Sequence, residues 1–64
     1  MPTKYLTPLD LVERYGVPLK TVYDWNHRGI GPRFMKLGRH VRYNPDDVEA
    51  WERTRYAETG GTAA

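Results

Sequence analysis

The first apolar positions that repeat at helical spacing are Leu11, Val12 and Tyr15, and the residues between them, Glu13 and Arg14, are charged. Since an α-helix completes a turn in 3.6 residues, these three apolar side chains fall on one side of a helix. The pattern predicts a short amphipathic helix whose apolar stripe packs inwards.

The boundaries of this helix follow from residues with strong positional preferences. Thr7 is a good N-cap because its hydroxyl can accept from a free amide of the first turn, and Pro8 fits the first helical position. Asp10 falls three residues after the cap, in a capping-box-like arrangement. Gly16 suits the left-handed residue that ends a helix, so we predict a helix from Pro8 to Tyr15.

A second helix is predicted from about Leu19 to Arg28, after the break Gly16-Val17-Pro18. Proline cannot sit inside a helix but can begin one, and Gly29 supplies the stop. Val22 is placed at the centre of the inward face. The residues within about 60° of Val22 around the helix axis, counted at 100° per residue, are Leu19, Trp25 and Asn26.

Two short helices joined by a three-residue turn that contains glycine are typical of the helix-turn-helix unit, whose second helix lies in the major groove of DNA. Asp24 is repelled by phosphates, but it can orient Arg28 four residues on. The alternative is an ordinary solvated helix face. The candidate recognition residues are Lys20, Thr21, Tyr23, Asp24, His27 and Arg28.

A β-hairpin is predicted after the rigid turn Gly31-Pro32, from the runs Phe34–Leu37 and His40–Tyr43 around the tip Gly38-Arg39. The pattern does not assign the inward face of the first strand. In the second strand, Val41 and Tyr43 share one face, and His40 and Arg42 share the other.

The hairpin is a candidate wing because its cations surround a compact tip that can enter a narrow minor groove. The alternative is that cations on edge strands only block aggregation. The candidate wing residues are Arg33, Lys36, Arg39 and Arg42.

Asn44 is predicted to cap a third helix that begins at Pro45 and ends near residue 55 or 56, with Val48 and Trp51 closing the core. The order helix, helix, hairpin, helix predicts a mainly α winged helix-turn-helix with a small β-hairpin. We expect an N-terminal arm at residues 1–4, one domain at 5–56 and a disordered tail at 57–64.

The aromatic residues could suggest stacking on single-stranded bases, but their spacing favours a core. Tyr23 is the exception, because helix geometry exposes it. The residues assigned to the core are Tyr15, Trp25, Phe34, Tyr43 and Trp51.

Charge is unevenly distributed in a chain of 64 residues with a formal net charge of only +2. Residues 20–42 hold six basic residues against one acid, a net charge of +5, and residues 43–58 hold two against five, a net charge of −3. A chain with a basic middle and an acidic end can bind a polyanion on its basic side. The alternative is that these charges are ordinary solvated surface residues. We expect double-stranded DNA to be the partner.

Composition narrows the remaining function classes. The absence of cysteine excludes disulfides and thiolate metal sites, and His27 and His40 are too few for a structural zinc site. The acids at the start of the third helix are explained by the helix dipole. We therefore expect no enzyme, no metal or cofactor, no small-molecule substrate and, without an apolar run of about 18 residues, a cytoplasmic location with no membrane contact.

Three segments of the first half of the chain form a recognisable set: Leu6-Thr7-Pro8, Tyr15-Gly16-Val17 and Thr21-Val22-Tyr23-Asp24-Trp25. In this order they resemble the excisionases, or recombination directionality factors, of the MerR-like winged helix-turn-helix group. The family usually has Ser or Thr where Pro18 stands and often Arg where Asp24 stands.

The second half is similar to the wing and closing helix of the same family, so that the resemblance covers about residues 5–53. The matching residues are Gly31-Pro32, Phe34, Lys36, Gly38-Arg39, Val41-Arg42-Tyr43 and Asp47-Val48-Glu49-Ala50-Trp51.

This resemblance implies an accessory factor of a mobile genetic element that binds and bends attachment-site DNA. Such a factor steers a tyrosine recombinase (integrase) toward excision and occupies adjacent sites by cooperative self-association. The resemblance equally implies a small prophage-type transcriptional regulator on the same fold. From a different class, a protein-interaction adaptor remains an alternative.

Overall fold

A computed structural model describes residues 4–59. Its helices are α1 (Pro8–Tyr15), α2 (Leu19–Arg28) and α3 (Pro45–Thr59), and its antiparallel strands are β1 (Met35–Leu37) and β2 (His40–Arg42). The predicted winged helix-turn-helix order is confirmed. Both strands are one residue shorter than predicted, because Phe34 and Tyr43 lie outside the ladder between β1 and β2.

The predicted capping of α1 is confirmed. The Thr7 hydroxyl accepts from the amide of Asp10 at 3.1 Å, and the Asp10 carboxylate accepts from the amide of Thr7 at 2.8 Å. Gly16 has a φ of 68°, and its amide donates to the carbonyl of Val12. Pro18 stands where the resembling family usually has Ser or Thr, and α2 accordingly begins without a side-chain hydrogen bond at its N-cap.

The core takes one fully buried side chain from each part of the chain: Leu11 of α1, Val22 of α2, Tyr43 after β2 and Val48 of α3. Four such residues are a small core, as expected for a domain of this size. Half-buried apolar residues pack against them: Leu6, Val12, Tyr15, Val17, Trp25, Phe34 and Val41.

Three aromatic side chains, which we call the aromatic cluster, join the three helices. The ring of Trp51 lies 5.7 Å from that of Tyr15 and 5.2 Å from that of Trp25. The indole nitrogen of Trp51 also donates to the carbonyl of Ile30 at 2.9 Å. The prediction of a core position is confirmed for Tyr15 and Trp25, which pack against the buried residues, whereas Trp51 is half-buried and contacts these two rings.

Helix α3 is longer than predicted. It runs to Thr59 rather than ending at residue 55 or 56, so the first three residues of the predicted tail are helical. Arg55 pairs with Glu58 at 2.8 Å, and the Thr59 hydroxyl donates to the carbonyl of Arg55 at 2.6 Å. No glycine or proline interrupts the helix before Gly60. Residues 60–64 of the predicted tail and 1–3 of the predicted arm lie outside the described residues.

Glu52 fastens α3 to α1. Its carboxylate accepts from Arg14 Nε at 2.6 Å and from the Tyr15 hydroxyl at 2.5 Å. The hydrogen bond from Arg14 lowers the pKa of Glu52, with a smaller contribution from Tyr15 and partial opposition from burial. The paired carboxylate therefore stabilises the fold where it is ionised.

We expect Glu52→Gln to flatten the acid side of the stability profile. Because the folded pKa lies below the ordinary value, the stabilisation is fully present above about pH 4.5 and is lost as the pH falls through the lowered pKa. The partly exposed pair should contribute about 1 kcal/mol or less at neutral pH. Urea unfolding from pH 3 to 7 measures it, and Glu49→Gln is the control, since Glu49 lies 4.0 Å from Arg53 on the exposed surface of α3. Equal profiles for both variants and the unmodified protein contradict the assignment.

Candidate nucleic-acid interface

The outward face of α2 carries the six predicted recognition residues. Five are exposed, and Thr21 is half-buried. Tyr23 keeps half of its surface exposed while its neighbour Val22 is buried, as the helical pattern predicted. The face is therefore free for contact along the whole helix.

Asp24 and Arg28 form an ion pair within this face. The carboxylate lies 3.6 Å from Arg28 Nε, one helical turn away, and the Arg28 side chain remains 64% exposed. The prediction that Asp24 can orient Arg28 is confirmed as a contact. Since an exposed pair of this kind is weak, Arg28 can exchange its carboxylate for a phosphate or a base edge.

The base of the hairpin is anchored to the inner side of α2. The Tyr43 hydroxyl donates to Asn26 Oδ1 at 2.7 Å, and the Tyr43 ring packs edge-to-face on Phe34 at 6.2 Å. Burial raises the pKa of Tyr43, which keeps its hydroxyl a donor. This bond fixes the position of the hairpin relative to the recognition helix.

We expect Tyr43→Phe to reduce the free energy of unfolding by about 1–2 kcal/mol. The amide nitrogen Nδ2 of Asn26 is already buried without a hydrogen-bond partner among the described residues, so the variant leaves the whole Asn26 side chain unpaired. Urea denaturation measures the loss. Tyr5→Phe removes the hydroxyl of a more exposed tyrosine and serves as the control. Equal stability of the two variants contradicts an anchoring role for Tyr43.

The hairpin register distributes the predicted wing cations over two faces. Met35 pairs with Arg42 and Leu37 with His40, so these four share the outer face, whereas Lys36 pairs with Val41 on the other face. The expected cluster around one tip is therefore divided. Lys36 lies on one side and Arg42 on the other, with Arg39 at the turn between them.

Arg42 and Arg33 lie farther from the tip than Arg39. Arg42 is half-buried, and its guanidinium donates to the carbonyl of Val41 at 2.8 Å. After the larger effect of the Thr7 amide, the charges of Lys4 and Arg42 help to lower the pKa of Asp10, which places both cations near the start of α1. Arg33 lines a shallow cleft with Tyr5 and Met35.

Sequence reasoning missed several residues of this surface. Lys4 belongs to the predicted N-terminal arm, because the bridge between Leu6 and Tyr43 that holds the adjoining residues in place is not visible in a local pattern. The sequence pattern assigns no face to Met35 and Leu37 of the first strand. The face already assigned to His40 and Arg42 would have supplied theirs through antiparallel pairing.

A family model described as a helix-turn-helix domain matches residues 5–56. The chain belongs to the helix-turn-helix domain family. The matched range contains α1, α2, the hairpin and most of α3. No curated protein and no solved structure gives a significant match.

Membership of the helix-turn-helix family gives the face of α2 its role. In this family the second helix of the motif enters the major groove, and DNA binding is the shared function. The helix-turn-helix of this chain accordingly supports sequence-specific binding of double-stranded DNA. Within residues 4–59, every helix is too short or too polar to cross a bilayer.

Proposed function

We propose that this protein is an excisionase-like accessory factor without catalytic chemistry of its own. It binds and bends attachment-site DNA, and it directs a tyrosine recombinase toward excision. The observation that carries the proposal is the pairing of the exposed α2 face with a cationic hairpin anchored to the same helix through Tyr43 and Asn26. The resemblance to excisionases at the Leu6-Thr7-Pro8 start and the Gly38-Arg39 tip supports the same role.

The assignment of roles follows from the shapes of the two elements. The α2 face reads base edges in the major groove, with Arg28 as the candidate for bidentate pairing with guanine. Arg39, at the tip of the wing, enters the adjacent minor groove. Lys20 and Lys36 contact phosphates, which position the protein without selecting a sequence.

Cooperative occupancy of neighbouring sites follows from the small footprint. A single module of this size covers only about 600–1,000 Å² of protein surface on DNA. Its affinity for one site is therefore modest, and contact between adjacent copies compensates. The charge distribution suits such contact, since residues 43–58 are net acidic and residues 20–42 net basic.

Selection from random duplexes followed by footprinting tests the proposal. We expect a short specific site, occupied in adjacent copies, and a bend that appears when the protein is added to a long attachment-site fragment. Binding with neither cooperativity nor a bend contradicts the architectural role.

Arg39→Ala is expected to reduce the slope of log affinity against log salt concentration by about one unit, because one phosphate-proximal cation is lost. Titrations of a labelled duplex at several salt concentrations measure the slope. Arg53→Ala removes an exposed arginine of α3 and is the control. An unchanged slope for Arg39→Ala favours the protein-interaction adaptor over the DNA-binding wing.

A further inference from the structure

Two apolar side chains lie exposed on the outer face of the hairpin. Leu37 is 53% exposed and Met35 is 38% exposed, although both belong to a strand. The inward-facing residues of the same hairpin, Val41 and Phe34, pack against the core. The hairpin therefore packs on the core with its inner face, and the exposure of Met35 and Leu37 is confined to its outer face.

Leu37 is the apolar residue nearest the tip. It forms with His40 the last pair before the two-residue turn, and Gly38 follows it with a φ of 66°. A positive φ at the first turn residue only is the pattern of a type II′ turn, which reverses the chain in the smallest space. Because Gly38 has no side chain, the leading edge is formed by Arg39 at the turn and by the facing pair Leu37 and His40, of which Leu37 is the apolar member.

The surroundings of Leu37 point to a polyanion rather than to a protein surface. No acidic residue occurs from residue 25 to residue 45, a stretch that contains five arginines and lysines. A single exposed leucine is ordinary on a protein surface. An exposed leucine between cations at a narrow tip is different, since edge hairpins normally carry polar residues there.

We propose that Leu37 is a wedge that enters between two stacked base pairs when the hairpin docks in the minor groove. Arg39 holds the tip in the groove, and Leu37 partly unstacks one base step and kinks the duplex. This inference rests on the proposed DNA-binding function and names the residue that produces its bend.

The energetics of DNA fit such a wedge. Bending proteins that approach through the minor groove insert apolar side chains between base steps, and the unstacking costs a few kcal/mol that additional contacts offset. The cost is lowest at the flexible steps TA and CA/TG. We therefore expect the preferred sites to carry such a step under the hairpin.

The test places aminopurine, a fluorescent adenine analogue, at the base step under the hairpin of a selected site, and donor and acceptor dyes at the duplex ends. The unmodified protein should raise the aminopurine fluorescence and bring the dyes closer together. Leu37→Ala should lose both signals while the footprint stays and the affinity falls by less than about tenfold, because the lost contacts are offset by restored stacking.

Three further variants make the outcome specific to a wedge. Leu37→Met keeps a long apolar side chain and should keep the bend. Leu37→Thr keeps strand propensity without apolar length and should lose it, which covers the case in which Leu37→Ala folds poorly. Met35→Ala, on the same face but farther from the tip, should bend DNA as the unmodified protein does.

The outcomes separate the wedge from the proposed function. A Leu37→Thr variant that bends and unstacks DNA normally overturns the wedge, as does an equal loss in Met35→Ala. A bend by the unmodified protein with no aminopurine response also overturns it but leaves the proposed function standing. If the unmodified protein does not bind duplex DNA, both fail.

Discussion

Trp51→Ala is expected to destabilise the domain by about 3–5 kcal/mol. The substitution removes the ring that contacts both Tyr15 and Trp25 and the indole donor to the Ile30 carbonyl. A domain of this length has a free energy of unfolding of roughly 3–10 kcal/mol, so the loss removes much or all of its stability. Each kcal/mol lowers the thermal midpoint by roughly 4–8 °C.

Thermal unfolding followed by circular dichroism measures this effect, and Trp51→Phe is the matched control. Phenylalanine keeps an aromatic ring in the cluster and loses only the indole donor, so we expect a loss of about 1 kcal/mol plus a small packing term. A Trp51→Ala variant that melts within a few degrees of the unmodified protein contradicts the central role of the aromatic cluster. It would also mean that Leu11, Val22, Tyr43 and Val48 suffice as a core.

Arg28→Ala is expected to weaken specific DNA binding by about 1–3 kcal/mol, which corresponds to roughly 5-fold to 150-fold in affinity. Arg28 is 64% exposed on the recognition face, and among residues 4–59 its one ion pair is with Asp24. Its loss should relax the sequence preference at one base pair, because a bidentate contact with guanine discriminates among bases.

The control for Arg28→Ala is Arg53→Ala. Both arginines are exposed, and each lies four residues after an acid to which it is paired, Asp24 for Arg28 and Glu49 for Arg53. Loss of Arg53 should change the affinity for a single site by less than about twofold, since α3 lies outside the proposed DNA-binding surface of α2 and the hairpin tip and a lost exposed pair hardly changes stability. If the two variants bind DNA equally well, α2 is not the recognition helix.

The local elements of the fold were predictable because their signals are local. Thr7, Asp10 and Gly16 act through backbone groups within one turn of helix, and the structure has the predicted bounds for α1 and α2. The exposure of the α2 face was equally predictable, since burial of Val22 fixes the rotation of the whole helix.

The contacts that join the elements were not predictable from periodicity. Helical spacing shows that Tyr15 has an inward side, but not that Glu52, 37 residues away in the chain, lies within 2.5 Å of its hydroxyl. The bridge between Leu6 and Tyr43 and the bond from Tyr43 to Asn26 are non-local in the same sense. The predicted end of α3 was wrong because Ala57 and Glu58 are good helix formers and no stop signal precedes Gly60, and side-chain bonds at Arg55 hold this last turn.

The candidate site shows the same division. The composition of the wing was visible in the sequence, and the two-residue turn predicted at Gly38-Arg39 already fixes the register that separates Lys36 from Arg42. The contacts of the hairpin base with α2 and with the segment before α1 were not predictable, because they join residues far apart in the chain.

The central claim is that the outward face of α2 and the Gly38-Arg39 tip contact one duplex at the same time. An NMR titration of the isotope-labelled protein with a short duplex that carries a single selected site, so that no adjacent copy binds, tests it most directly. We predict that the amide signals of residues 20–28 and 36–42 shift together and saturate at the same ratio of protein to DNA, while those of residues 49–56 stay in place. Shifts confined to one of the two elements, or centred on α3, would contradict a shared interface.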